Sequence, residues 1–439
     1  MASRAHNLNA GVPDSLTGLA DVAQARETIA KWQREWPDVS TRCPLHAMLV
    51  DLGRIDTVNV AFGETSGDGA LVEVAQRIRH FADDELESSV WLAARVSGGT
   101  FLLVAREECS RERWQWLAEA LADALAMPIS NPGGDSALRL SPRLVLMRAL
   151  GTTTPETMLD SMAEGARRLR TMAGQRIIWE TGEHTKGGRT NQQLEADLLG
   201  AIDRDEIEIL YQPQFHIDGD RLYGAEALAR WRHPQLGLIG AGVLFGIAER
   251  IDHVTHLSRH ISRRALEAAK AWPKNLRLSI NITPEDLATG GFARELVVLI
   301  EEAGISPGRI TLEITEQVLL SDLDRVGAVL DDLRYKGVAI ALDDFGAGFC
   351  NFHYLKMLPI DQLKIDYSLV ENIHKDQRDL SIFRAITQLA QALEMTVTAE
   401  GVETEEQLAL VRSEGCESYQ GFLKAKPMAA ADFLALTKQ

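Results

Sequence analysis

Eight polar residues of the C-terminal half fall at the ends of short apolar runs: Glu226, Asn281, Glu313, the adjacent pair Asp343 and Asp344, Lys364, Glu400 and Gln420. Five carboxylates brought into one pocket could not all stay ionised unaided, because like charges raise each other's pKa. Divalent cations are the natural compensation, and an all-oxygen donor set suits hard ions such as Mg2+ or Mn2+. The Asp343–Asp344 pair could set one carboxylate between two ions. Two ions about 3.5–4 Å apart clamp the attacking and leaving oxygens of a phosphoester undergoing hydrolysis. A lysine beside them would orient or deprotonate the water, or stabilise the developing charge. Each residue alone also reads as a helix cap, a turn or a solvated charge. The argument rests on the set.

The elements that must position them repeat. A short apolar strand, a polar residue at its C-terminal end and a helical pattern recur over the last 250 or so residues. The strands read EIEILYQP, YGAEALARW, LRLSINIT, RITLEIT, GVAIALDDFG, DQLKID, MTVTAEG and CESYQGF. This alternation predicts a (β/α)8 barrel, whose C-terminal rim carries the active site. One connection departs from it. PQFHIDGDRLYGA has no room for a crossover helix, and Asp218-Gly219 is a hairpin turn signal. The first strand is therefore expected to run antiparallel, giving a modified barrel. The N-terminal half predicts a second α/β domain, with strands at HAMLVDL, VWLAARV, TFLLVA, LVLMRAL and GQRIIWE and helices over 71–81, 113–126 and 155–172. The polar, Gly-rich stretch TGEHTKGGRTN marks the boundary. The domains are read as 10–181 and 192–439, with 182–191 as linker.

Composition excludes several classes. The 439 residues carry a formal net charge of -17, which argues against non-specific nucleic-acid binding. Four cysteines, Cys43, Cys109, Cys350 and Cys416, form no C-x-x-C pair, as suits a reducing compartment. The first residues lack the apolar stretch of a signal peptide, and no apolar run is long enough to span a membrane. The expectation is a soluble, cytoplasmic protein.

EALAR (226–230) resembles the signature of the EAL family of cyclic di-GMP phosphodiesterases. The resemblance extends through YQP, NITPEDL, LEITE, DDFGAGF, LKID, AEGVE and QGF, over about residues 192–439. It implies that Glu226, Asn281, Glu313, Asp343, Asp344 and Glu400 surround two Mg2+ or Mn2+ ions. Glu226, Asp344, Lys364 and Glu400 would carry the catalysis. Gln212, Leu228, Arg230, Asp366, Glu403 and Gln420 would line the substrate site, with Glu403 meeting a guanine, and Glu316 would anchor the loop after the fifth strand. The implied reaction opens cyclic di-GMP to linear pGpG, and a homodimer is implied as well. The alternative is a silent receptor that binds cyclic di-GMP and signals through partners. Cys350 and Asn351 replace two serines usual in the family's loop after the Asp pair.

The N-terminal half resembles the GGDEF family of diguanylate cyclases in degraded form. DSLTGL (14–19) is similar to that domain's opening, and Asp51, Asn59, Gly63, Gly67 and Asp68 follow the spacing of its next conserved stretch. The signature itself is replaced by SGGTF (97–101), which offers no carboxylate. Cyclase activity is expected to be absent. Asn59 and Asp68 stand where guanine contacts lie in that family, which leaves open a GTP-sensing domain or a relic that packs and dimerises.

Overall fold

The computed structural model describes residues 13–35, 45–53, 64–87, 90–129, 138–149, 153–172, 174–180, 191–315, 323–346 and 352–438. The chain forms two compact units. One comprises Met1–Ala196 with Arg232–Val243, the other Asp197–Trp231 with Leu244–Gln439.

In the first unit, five strands form one sheet: β1 (Leu45–Asp51), β2 (Trp91–Ser97), β3 (Thr100–Arg106), β4 (Arg143–Arg148) and β5 (Ile177–Trp179), in the order β2-β3-β1-β4-β5. All five were expected from the sequence. β1 is buried along its whole length, His46 and Asp51 included, as befits a central strand flanked on both sides. The helices Glu64–Glu85 and Arg111–Ala126 cover the first two predicted spans, and Pro155–Thr171 matches the third to within its last residue, Met172, which is the C-cap. The helix Val22–Arg34 was not anticipated; Asp21 and Gln24 form a capping box at its start. Ala25, Ile29 and Trp32 of that helix join Leu49, Val104, Met158 and Met162 in the core. SGGTF forms the tight β2–β3 connection, with Gly98 in the left-handed region. Asp51, at the end of β1, is buried and receives both Nε and Nη2 of Arg170 at 2.7 and 2.9 Å. Asp68 lies exposed on the helix Glu64–Glu85, and Asn59 lies outside the described residues.

The second unit is built on β6 (Ile207–His216), β7 (Leu222–His233), β9 (Arg277–Ile282), β10 (Ile310–Thr315), β11 (Ala339–Phe345), β12 (Gln362–Ile365), β13 (Thr396–Ala399) and β14 (Ser418–Gln420). These are the eight predicted strands. A short strand, β15 (Met428–Ala429), extends the sheet; neither it nor the short β8 (Gly237–Ile239) was foreseen. The sheet closes because β6 pairs with both β7 and β14. Both pairings are antiparallel, while every step from β7 through β9 to β14 is parallel. The barrel is thus the modified one the short hairpin required. Its left-handed residues are Gly219 and Asp220, one position beyond the Asp218-Gly219 pair that signalled the turn. Among the described residues, no helix is long and apolar enough to cross a membrane.

On β6, Tyr211 meets Trp272 edge-on at 5.3 Å between ring centroids, and Phe433 at 6.1 Å. Trp272 and Phe433 are 4.5 Å apart, and all three rings are buried. This trio fastens β6 to the helix Ala430–Leu436 and to the turn that follows the helix Val254–Ala269. Truncating Phe433 to alanine should cost about 3–5 kcal/mol, the range for a buried aromatic that leaves a cavity. Urea unfolding followed by tryptophan fluorescence should show the loss as an earlier midpoint for the barrel's transition.

Candidate active site

The strands place all eight residues at one end of the barrel. Across neighbouring strands, Glu226 sits beside Ser279, Asn281 beside Glu313, and Thr315 beside Asp343. Lys364 sits beside Thr398, two residues before Glu400, and Gln420 beside Gln214. Because successive side chains point to opposite faces, these positions project inward while their neighbours Ala227, Leu312, Leu342, Leu363 and Tyr419 are buried elsewhere.

Lys364 stands at the centre with 1% of its side chain exposed. Its Nζ lies 2.8 Å from Glu313 Oε2, 2.9 Å from Asp343 Oδ1, 2.9 Å from Glu400 Oε1 and 3.3 Å from Glu226 Oε2. Two amides add neutral donors. Asn281 Nδ2 donates to Glu226 Oε1 at 3.0 Å. Gln420 Nε2 donates to Glu226 Oε2 at 2.8 Å and to Glu400 Oε1 at 2.7 Å. The acidic groups form two trios, Glu226–Glu313–Asp343 and Asp343–Asp344–Glu400, in each of which ligand oxygens approach within 4.8 Å of one another. Asp343 belongs to both.

One ammonium cannot neutralise five carboxylates, and the protonation equilibria reflect the deficit. Burial, then the charge of Glu226, pushes Glu313 well above the usual carboxylate range despite Lys364. Burial also raises Glu400 and Asp343, against the pull of Lys364. Asp344 is pushed up to about 8 by burial of its carboxyl, then by the charges of Asp343 and Asp366, although the residue itself opens to solvent. Glu226 goes the other way: burial works against its ionisation, but Lys364, Gln420 and Asn281 together outweigh it. The same carboxylates overcome burial to hold Lys364 firmly charged.

Two backbone features shape the rim. Asp344 adopts φ 55°, where β11 shifts register between Leu342 and Phe345. That left-handed residue sends Asp343 and Asp344 toward the same mouth instead of opposite faces. Gly421, at φ 159°, follows Gln420, and a Cβ there would collide with the backbone of Val402. Only glycine lets β14 end so close to the segment after Glu400.

The predicted substrate residues lie around this core. Gln212 is buried and its Nε2 donates to the Ala425 carbonyl at 2.7 Å. Arg230 is buried, with Nη1 on the Ala229 carbonyl at 2.9 Å, and Leu228 is half-buried on the same strand. Asp366 caps the helix Tyr367–Glu371 by accepting from the Ser368 amide, the ordinary structural role open to an Asp after a strand. Glu403 is exposed. Glu316, Cys350 and Asn351 lie outside the described residues. Sequence reading passed over Gln214, which is 3% exposed and donates through Nε2 to Gln420 Oε1 at 3.0 Å. The signal was its spacing: two residues beyond Gln212 on a strand, it shares that residue's face.

Comparison with known proteins agrees with this architecture. Residues 195–427 match the EAL domain model, and the chain belongs to that family; residues 12–171 match the model described as diguanylate cyclase, GGDEF domain. The chain is 31% identical over 434 residues to the cyclic di-GMP phosphodiesterase NbdA of Pseudomonas aeruginosa, covering 95% of this chain and 53% of NbdA. It is 30% identical over 394 residues to the bifunctional diguanylate cyclase/cyclic di-GMP phosphodiesterase MucR of the same organism, covering 88% of this chain and 56% of MucR. The chain thus spans little more than half the length of these curated relatives. Among solved structures, the PaMucR phosphodiesterase in complex with c-di-GMP superposes with a TM-score of 0.53 at 33% identity, covering 55% of this chain and 99% of that one.

The acidic rim should leave a pH signature in protein freed of divalent ions by chelation. An acid whose folded pKa is raised binds more protons folded than unfolded, so its stability contribution falls as pH rises. Asp344, raised to about 8, and Glu313, Asp343 and Glu400 all act in that direction. The melting temperature of the chelated protein is therefore expected to fall between about pH 5 and about pH 9. Asp344→Asn should flatten the upper part of that slope in a series of thermal melts.

Proposed function

We propose that the barrel hydrolyses cyclic di-GMP to linear pGpG with two Mg2+ or Mn2+ ions. The observation that carries this reading is the pair of carboxylate trios sharing Asp343. Their donors are all oxygen, their separation suits one hard ion per trio, and the charge left over after Lys364 calls for cations. A structural network would need no such surplus of acid. The cyclic di-GMP phosphodiesterase named among the relatives supports the choice of substrate.

Glu226, Asn281, Glu313, Asp343, Asp344 and Glu400 would hold the ions, which supply Lewis acidity and an acidified water. Water adds to one phosphorus, the P–O bond to the 3′ oxygen breaks, and the products are a free 3′-hydroxyl and a 5′-phosphate on one linear dinucleotide. Lys364 keeps a buried positive charge beside the reacting phosphoryl oxygens, in a setting where it is worth far more than in water. Gln420 directs two donors at Glu226 and Glu400 and thereby fixes their orientation. Arg230 and Gln212 would meet the substrate's phosphates and sugars, and Glu403 a guanine edge.

We assign no cyclase chemistry to the first unit. Asp51, the acidic residue at the end of β1, is already engaged by Arg170 on both oxygens, and the β2–β3 connection contributes no carboxylate.

Purified protein should convert cyclic di-GMP to pGpG with Mn2+ or Mg2+, scored by chromatography with and without GTP. Glu226→Ala should abolish conversion. Lys364→Met should lower kcat by about 10²–10³-fold, the loss typical of one group stabilising transition-state charge. Tight cyclic di-GMP binding without product from the wild type would replace the hydrolase reading with that of a receptor.

A further inference from the structure

We infer that Gln214 is a positioning residue that fixes the orientation of the Gln420 amide, and through it the carboxylates of Glu226 and Glu400. The inference rests on the hydrolase reading above and adds a residue to it.

The argument begins with what each group can do. Ionised carboxylates only accept hydrogen bonds. Glu226, which its neighbours hold ionised, lies 2.8 Å from Gln420 Nε2, so the NH2 must point there, and the same nitrogen reaches Glu400 Oε1 at 2.7 Å. That choice turns its Oε1 away from the acidic rim, toward β6. An Oε1 so placed needs a donor, and Gln214 Nε2 supplies it at 3.0 Å. Without that donor the Gln420 amide could turn over and set an oxygen against the ionised Glu226.

Three features show that the donor is what Gln214 contributes. It is directly opposite Gln420 in the β14–β6 pairing, so the bond is set by the closure of the barrel itself. Its other cross-strand neighbour, on β7, is Gly224, which offers no side chain to bond. Its own Oε1 is buried and accepts no hydrogen bond among the described residues. A methionine would fill the same space without stranding an acceptor. Glutamine therefore adds nothing to packing that an apolar residue would lack, and its Nε2–H is the functional atom.

The test is a double-mutant cycle on the full chain, with kcat and KM for cyclic di-GMP measured for wild type, Gln214→Met, Gln420→Met and the double variant. Melting temperatures normalise each rate to folded protein. Gln214→Met should lower kcat about fivefold, as expected for one buried hydrogen bond, and leave KM within about twofold. In the Gln420→Met background the same substitution should change kcat no further, because its partner is gone. Gln214→Glu is nearly isosteric but presents an acceptor to Gln420 Oε1, and should lose more than Gln214→Met; it also takes that variant's place in the cycle should the methionine protein not fold. Calorimetric Mn2+ binding across the same four proteins should show the same non-additivity, independent of turnover. Additive effects in the cycle, or an unchanged kcat in Gln214→Met, would overturn the inference while leaving the hydrolase reading intact. A wild type without hydrolysis would sink the hydrolase reading instead, and the calorimetric cycle would then decide the role of Gln214.

Discussion

A single buried ammonium surrounded by acid is the constraint on which the rest of the barrel depends. Lys364 touches Glu226, Glu313, Asp343 and Glu400 and is sealed from water. Removing two charges from water costs more than their attraction returns unless the geometry is good and further hydrogen bonds complete it. Here the completion comes from side-chain amides, Asn281 and Gln420, which donate without adding charge. Even so, Glu313 and Glu400 remain displaced far upward in pKa. The site is thus built to be short of positive charge. A protein that only needed a stable core would fill this end of the barrel with apolar side chains, as it does on the opposite face of the same strands at Leu312, Leu363 and Val397.

That shortage sets the demand on the fold. Seven strands must deliver polar side chains to one small volume without slipping by a residue, since a slip of one sends every side chain to the other face. Buried apolar neighbours on each strand pin the register. The antiparallel β6 has a special part in this. Running against the other seven strands, it contributes Gln212 and Gln214 from within the hairpin pair and locks β14 from the far side. The aromatic trio behind it, Tyr211, Trp272 and Phe433, holds the strand that closes the ring. The fold's one irregular strand is therefore also the one that braces Gln420.

Much of this was legible in the sequence, for identifiable reasons. Strand ends announced themselves because an acidic residue after a β-branched run is conspicuous, as in RITLEIT and GVAIALDDFG. The antiparallel strand was legible because a short linker with a turn signal admits no crossover. What escaped was of another kind. The helix Val22–Arg34 is amphipathic with few strong apolar residues, so its pattern was faint until the sheet showed which face it covers. β8 and β15 are only three and two residues long, too short for any periodicity. Gln214 was missed because its meaning lies in a partner 206 residues away. Asp366 shows a further case: beside the ligand contact that its motif suggested, it satisfies a helix N-terminus, a local role that the motif did not announce.

The two units also differ in how each treats the acid at its strand end. In the barrel, acids outnumber the cation that faces them and stay uncompensated. In the first unit, Asp51 occupies a comparable place at the end of a central strand but is matched by Arg170 with two hydrogen bonds. A bidentate guanidinium satisfies a carboxylate in charge and geometry together, leaving little to attract a metal. The same residue type at the same kind of position is thus a latch in one unit and a deficit in the other. What separates them is the presence of one arginine within reach of Asp51, against a single lysine facing five acids in the barrel.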